Sequence, residues 1–221
     1  MTELEKWFAG QPELMMFDLD GTLVDSVADV AAAVDRMRRE MNLPEPGLDK
    51  VRNWVGRGAE ALLDKVMADC PGQPALRQEA GERFACAYSE AVHVHSRLFE
   101  GVDAALKLFA TWCPLVCITN KPWRYTQPLL ASLGIDERFA LILAGDSLLH
   151  KKPHALPVLH TLHHFGVQPQ RALMVGDSRN DVIAAHAAGV RCIALTWGYN
   201  HGEPIEDCSP DWIVDAFADL L

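Results

Sequence analysis

The chain has 221 residues, 49% hydrophobic and 23% charged, a globular balance with room for one large domain or for a core carrying a smaller one. Twenty basic residues against thirty acidic give a formal charge of −10, which argues against a nucleic-acid partner, although a local cation can reverse the sign inside one site. The first thirteen residues hold no apolar stretch of signal-peptide length, and no window approaches eighteen uninterrupted apolar residues. Cysteines 70, 86, 113, 117, 192 and 208 read as scattered reduced thiols, so a cytoplasmic protein without membrane contact is expected.

The first informative element is Leu14-Met15-Met16-Phe17, a short apolar run without alternation, the pattern of a strand buried on both faces. It delivers Asp18 and Asp20 at i and i+2 and stops at Gly21. Open α/β sheets bind ligands at the carboxyl ends of their strands, and two acids crowded there repel unless a cation or a shared proton compensates. The pair suits a hard metal ion, or a carboxylate nucleophile with an acid–base partner. Alone, it is equally a strand end followed by an Asp-Gly turn.

From Ser26 to Leu98 no strand candidate occurs. The pattern predicts helices over Val27–Met41, Gly58–Asp69 and Ala75–His95, punctuated by Pro44, Pro46, Pro71 and Pro74. The stretch is too long for a simple crossover, so 26–98 is read as an inserted helical cap on a core of 1–25 and 99–221. Hinges are expected near Asp25-Ser26 and Phe99-Glu100-Gly101. Strands then resume at Leu115–Ile118, Ala140–Ala144, Ala172–Val175 and Cys192–Leu195. Helices at Tyr125–Leu133, Ala155–Phe165 and Asp181–Ala188 alternate with them, each followed by a glycine (Gly134, Gly166, Gly189). The alternation predicts an α/β fold with a doubly wound, Rossmann-like parallel sheet.

Polar groups follow four of these strands: Asp18 and Asp20, Thr119-Asn120, Lys151-Lys152-Pro153, and Gly176-Asp177-Ser178-Arg179-Asn180-Asp181. Parallel strands gather them at one sheet edge. They provide a carboxylate to attack phosphorus, acids to hold a metal, a hydroxyl and a lysine for the remaining charge, and an acid for the leaving oxygen; this is the equipment of phosphoryl transfer. Other polar residues have plainer readings. Lys151 reads as solvated, Arg179 and Asn180 as capping and surface residues, and His93, His95, His160, His163 and His164 as non-ligands. Trp197 and Tyr199 read as a packed pair near the entrance. Cys113 and Cys117 have no second pair at zinc-site spacing, and no GxGxxG turn follows the first strand.

DLDGTLVDS, TN, KKP and GDSRND, in that order, resemble the four motifs of the haloacid dehalogenase superfamily of phosphohydrolases. The resemblance implies that Asp18 is the nucleophile forming an aspartyl-phosphate, and that Asp20 is first general acid and then general base. Thr119, with Asn120 beside it, would bind the phosphoryl group, and Lys152 would tether the nucleophile to it. Magnesium would be held by Asp18, the backbone carbonyl of Asp20 and Asp177, with Asp181 acting through a bound water or orienting its neighbours. TNKP (Thr119–Pro122), KKPH (Lys151–His154), GYNHGEPI (Gly198–Ile205) and the phrase Trp54-Val55-Gly56-Arg57-Gly58-Ala59 resemble the phosphoglycolate phosphatase family more closely. Arg57 stands where that family more often has asparagine, and Ala155 replaces a proline common there. The implied activity is a magnesium-dependent phosphomonoesterase on a small phosphate ester, 2-phosphoglycolate foremost, the protein being a monomer or homodimer. Another small sugar or acid phosphate, or phosphomutase chemistry on the same core, is the alternative. A dehalogenase has no need of Asp20, Asp177 and Asp181, and a non-catalytic regulator fits poorly where no expected position is missing. Arg57, between two glycines, is expected to meet a substrate carboxylate.

Overall fold

A computed structural model describes residues 1–70 and 74–221. The elements in chain order are α1 (Glu3–Phe8), β1 (Leu14–Phe17), β2 (Val24–Asp25), α2 (Val27–Glu40), α3 (Leu48–Arg52), α4 (Ala59–Val66), α5 (Pro74–Glu90) and β3 (Arg97–Leu98). They continue with α6 (Val102–Phe109), β4 (Leu115–Ile118), α7 (Trp123–Ser132), β5 (Leu141–Leu143), α8 (Leu156–Phe165), β6 (Ala172–Gly176), α9 (Arg179–Ala187), β7 (Arg191–Leu195) and β8 (Trp212–Val214). Six strands form one sheet in the order β5-β4-β1-β6-β7-β8, every pairing parallel. β1 is central, between β4 and β6.

The unbroken apolar strands have a physical explanation in the two cores. Met15, Phe17, Leu115, Cys117, Leu173 and Val175 point to the face covered by α6 and α7. Leu14, Met16, Val116, Ile118 and Met174 point to the face covered by α8 and α9. With both faces apolar, alternation disappears from the sequence while the side-chain period of two persists in space. The doubly wound α/β fold read from the sequence is the fold observed.

Two expectations are corrected. The stretch from Ser26 to Leu98 is not free of strand: β3 at its end pairs antiparallel with β2, Val24 opposite Leu98 and Asp25 opposite Arg97. A two-residue strand carries no periodicity and forms only because the chain ends meet. The long helix stops at Glu90, short of His95. Here the buried Asp29 carboxylate accepts from the His95 and Ser96 backbone N–H groups and from Ser96 Oγ, at 2.6–3.0 Å, drawing the chain out of helix. Pro71, expected to punctuate the helices, lies outside the described residues. The edge strand β8 and helices α1, α3 and α6 went unread. All six cysteines are free, and no helix among the described residues is long and apolar enough to cross a membrane.

Asp29 thus fixes the exit of the inserted helices to the start of α2. Removing an acceptor of several buried donors strands them, so Asp29→Ala should cost about 3 kcal/mol. A lower urea midpoint at unchanged slope would register that loss; an unchanged midpoint would show that the four contacts are replaceable.

Candidate active site

The register of the sheet assembles the site. Phe17 is paired with Cys117 on one side and Val175 on the other, so the residues just beyond these strands converge. Asp18 N–H donates to the Val175 carbonyl at 3.0 Å, and Thr119 N–H to that of Leu143 at 2.9 Å. Asp18 Oδ1 accepts from Leu19 N–H at 2.7 Å and lies 2.8 Å from Lys152 Nζ. Lys152, 2% exposed, also donates to Asp181 Oδ1 at 2.7 Å. The other oxygen of Asp181 accepts from Ser178 N–H and Oγ at the start of α9. Asp177 accepts from Thr22 Oγ1 and from Tyr199 N–H, each at 2.6 Å. One oxygen from each of Asp18, Asp177 and Asp181 lies within 4.8 Å of the others. Glycine makes this closeness possible: a Cβ on Gly198 would sit 2.1 Å from Asp177 Cβ, and one on Gly21, at φ +87°, 2.3 Å from Asp177 Oδ2.

Three buried carboxylates therefore face a single ammonium. Burial pushes the Asp18 carboxyl up to about 7 although Lys152 pulls against it. Burial likewise lifts Asp177 well above the usual carboxylate range, and the charges of Asp18 and Asp181 add to the effect. Burial works against the charge of Lys152, but Asp18 and Asp181 outweigh it and hold its pKa above the ordinary lysine value. The cluster lacks positive charge and offers only oxygen donors, so the residues present fit a hard divalent cation. Asp18 Oδ2 has no hydrogen-bond partner among the described residues, whereas both oxygens of Asp181 are engaged.

Asp20 faces away from that cluster into a cavity of about 50 Å³, whose floor it shares with Asp18, Thr119 and Lys121. Lys121 Nζ holds both Asp20 oxygens, at 2.8 and 2.9 Å, and Ser26 Oγ donates to one of them at 2.5 Å. Thr119 Oγ1 accepts from Lys121 N–H, which leaves its own proton to give. The sequence reading gave Lys121 no role. Its signal was a lysine placed directly after a strand-end Thr-Asn, where the chain is still buried.

The inserted helices sit directly over this edge. Arg52 Nη2 donates to the Trp197 carbonyl at 2.8 Å, and its guanidinium lies 4.9 Å from the centre of the Tyr199 ring. The Gly56 carbonyl accepts from Asn120 Nδ2 at 2.9 Å and from Asn180 Nδ2 at 3.2 Å. Tyr199 OH accepts from Ser26 and Val27 N–H and donates to Asp25.

Several expectations change. Asn120 was expected against substrate, but its amide protons go to the Gly56 and Lys152 carbonyls. Asn180 is buried in the seam rather than on the surface, and Tyr199 is a hydrogen-bonding hub as well as a packed ring. Lys151 is half-buried, its Nζ 2.7 Å from where a Gly58 Cβ would be. Arg57 is exposed, with no hydrogen bond or ion pair among the described residues, while Gly56 and Gly58 on either side line the cavity. The peptide at this turn, and not the Arg57 side chain, forms the wall. Asp18, Asp20, Thr119, Lys152, Asp177 and Asp181 are brought together.

A family model described as haloacid dehalogenase-like hydrolase matches residues 15–195. The chain is 42% identical over 214 residues to a phosphoglycolate phosphatase of Nitrosococcus oceani, with 95% of each chain covered. It is 45% identical over 227 residues to a phosphoglycolate phosphatase of Pseudomonas putida, covering 100% of this chain and 83% of that one. The crystal structure of a predicted phosphoglycolate phosphatase from Haemophilus somnus superposes with a TM-score of 0.90 at 38% identity, covering 95% of this chain and 96% of that one.

The raised Asp18 value fixes a sign for stability. Between the ordinary value of 3.8 and about 7, the folded protein keeps a proton that the unfolded chain releases, so without metal this group costs stability as pH rises through that window. Asp18→Asn cannot titrate. In EDTA, the thermal midpoint of wild type should fall relative to Asp18→Asn between pH 5 and pH 7.5; parallel curves would show that Asp18 is not held protonated.

Proposed function

The chain belongs to the haloacid dehalogenase-like hydrolases, and on that premise we propose that it is a magnesium-dependent phosphomonoesterase acting on a small phosphate ester, 2-phosphoglycolate foremost. The observation that carries the reading is the Asp18 carboxylate, tied at one oxygen by Lys152 and open at the other, beside the Thr119 hydroxyl and two further buried carboxylates.

Asp18 attacks phosphorus, forming the phosphorus–oxygen bond of an aspartyl-phosphate as the bond to the ester oxygen breaks. Thr119 Oγ1–H donates to a non-bridging oxygen, and Lys152, with two protons engaged by Asp18 and Asp181, has a third to offer the phosphoryl group. Asp20 enters the step protonated, gives the departing alkoxide that proton, and is left as the carboxylate that Lys121 and Ser26 hold. It then takes a proton from the water that attacks the aspartyl-phosphate, regenerating Asp18 and releasing inorganic phosphate. Asp18, the Asp20 backbone carbonyl and Asp177 would hold magnesium, which when bound neutralises the charge of the carboxylates and of the phosphoryl oxygens. Asp181, engaged by Lys152 and Ser178, orients the lysine and supports the ion through water. Residues 26–98 act as a cap on the core of 1–25 and 99–221. The contacts of Arg52, Gly56 and Tyr199 across the seam support that division.

Phosphate release from a panel of small esters, with and without magnesium, tests the reading. Magnesium should be required, EDTA should abolish turnover, and 2-phosphoglycolate should lead the panel. Full activity after metal stripping would refute the mechanism, and isomerisation without phosphate release would indicate a mutase. Asp18→Asn should lower turnover at least ~10³-fold in a folded protein. Asp20→Asn should slow aspartyl-phosphate formation by ~10²–10⁴ with an alkyl ester and by less with an activated aryl phosphate. Equal losses on both would assign Asp20 some other task.

A further inference from the structure

Above the floor of the cavity the walls are mostly apolar: Val30, Leu62 and Phe84 come from the cap. Two polar groups interrupt them, the hydroxyls of Tyr88 on α5 and Tyr125 on α7. The residues are 2% and 1% exposed, both line the cavity, and among the described residues neither hydroxyl makes a hydrogen bond of normal geometry, although the Lys121 ammonium lies close to that of Tyr88. Their ring centroids lie 4.8 Å apart, and Tyr88 also stacks on Phe84 at 5.5 Å, so the pair is held in place by packing. One ring belongs to the cap and the other to the core, and Lys121 Nζ lies 5.1 Å from the centre of the Tyr88 ring.

A buried hydroxyl without a partner is costly, and two on adjoining rings in the lining of one cavity with a nucleophile are rarely tolerated without a ligand to satisfy them. Phenylalanine at either position would fill the same space. Burial pushes the Tyr88 phenol up to about 12 and raises that of Tyr125, so both carry their protons at any working pH. The pair therefore presents two donors and calls for an acceptor with two oxygens. Lys121 is already paired with both oxygens of Asp20, so the two donors themselves select a two-oxygen acceptor such as a carboxylate, and the small volume and apolar walls favour a short one.

We propose that Tyr88 and Tyr125 are specificity-determining residues that donate hydrogen bonds to the carboxylate of the leaving group, selecting short carboxylated phosphate esters over neutral ones. This rests on the phosphomonoesterase reading above and adds to it the site that recognises the end of the substrate away from phosphorus. Because the donors come from opposite sides of the seam, a bound carboxylate also bridges cap and core.

The test compares kcat/KM for 2-phosphoglycolate and for ethyl phosphate, which carries a methyl group in place of the carboxylate, in wild type, Tyr88→Phe and Tyr125→Phe. A site built to hydrogen-bond a substrate group discriminates strongly against an analogue lacking it. Wild type should prefer phosphoglycolate by about 10²-fold or more, and each Phe variant should cut that ratio about tenfold. Thermal midpoints of the free proteins should not fall, because Phe removes an unpaired hydroxyl and no bond. A ratio preserved in both variants would overturn the proposal, and so would midpoints lowered by several degrees. Equal wild-type rates on the two esters would overturn it while leaving the phosphatase reading intact. Phosphate release from neither ester, nor from any other member of the panel, would refute that reading and the tyrosine assignment with it.

Discussion

Three carboxylates buried around one ammonium are the constraint on which the rest of this molecule depends. Isolated buried charges are among the most unfavourable groups a protein can hold, and Asp18, Asp177 and Asp181 have only Lys152 between them. The surrounding structure supplies what is missing in small portions. The Leu19 N–H just past β1 steadies Asp18, Thr22 and the Tyr199 amide steady Asp177, and Ser178 steadies Asp181. What they leave uncompensated is negative charge, which suits a cation.

Tyr199 shows how closely the cluster is tied to the join between the two parts of the chain. Its backbone amide holds Asp177, while its hydroxyl takes the N–H groups of Ser26 and Val27, where α2 leaves the core. Arg52 on α3 lies over the face of the same ring and caps the carbonyl of Trp197. One residue thus touches the acidic cluster, the first crossing into the inserted helices, and those helices themselves.

The legible and the illegible parts of the sequence differ for physical reasons. Long-range order came through because the core strands that were read are apolar runs and α7, α8 and α9 are each followed by a glycine, signals that survive without tertiary information. Asp18, Thr119 and Asp177 were legible because they stand directly after such runs, and Lys152, in the loop between β5 and α8, because it completes a known set of motifs in order. Lys121, Asn180 and the hydroxyl of Tyr199 were not, since a polar residue one step from a motif looks solvated until its partners, far away in the chain, are known. β2 and β3 are too short to carry a pattern, and β8 is an edge strand only partly buried. Arg57 was conspicuous as a cation between two glycines; the structure shows its side chain exposed and the two glycines lining the cavity.

The way this loop docks sets how its sequence can drift. The turn after α3 meets the sheet edge through a carbonyl oxygen, that of Gly56, gripped by the amide side chains of Asn120 and Asn180. A main-chain acceptor is the same whatever residue follows it. Position 57 is therefore released from the duty of docking, and its side chain can be exchanged, in nature or in the laboratory, without loosening the joint that Gly56 makes.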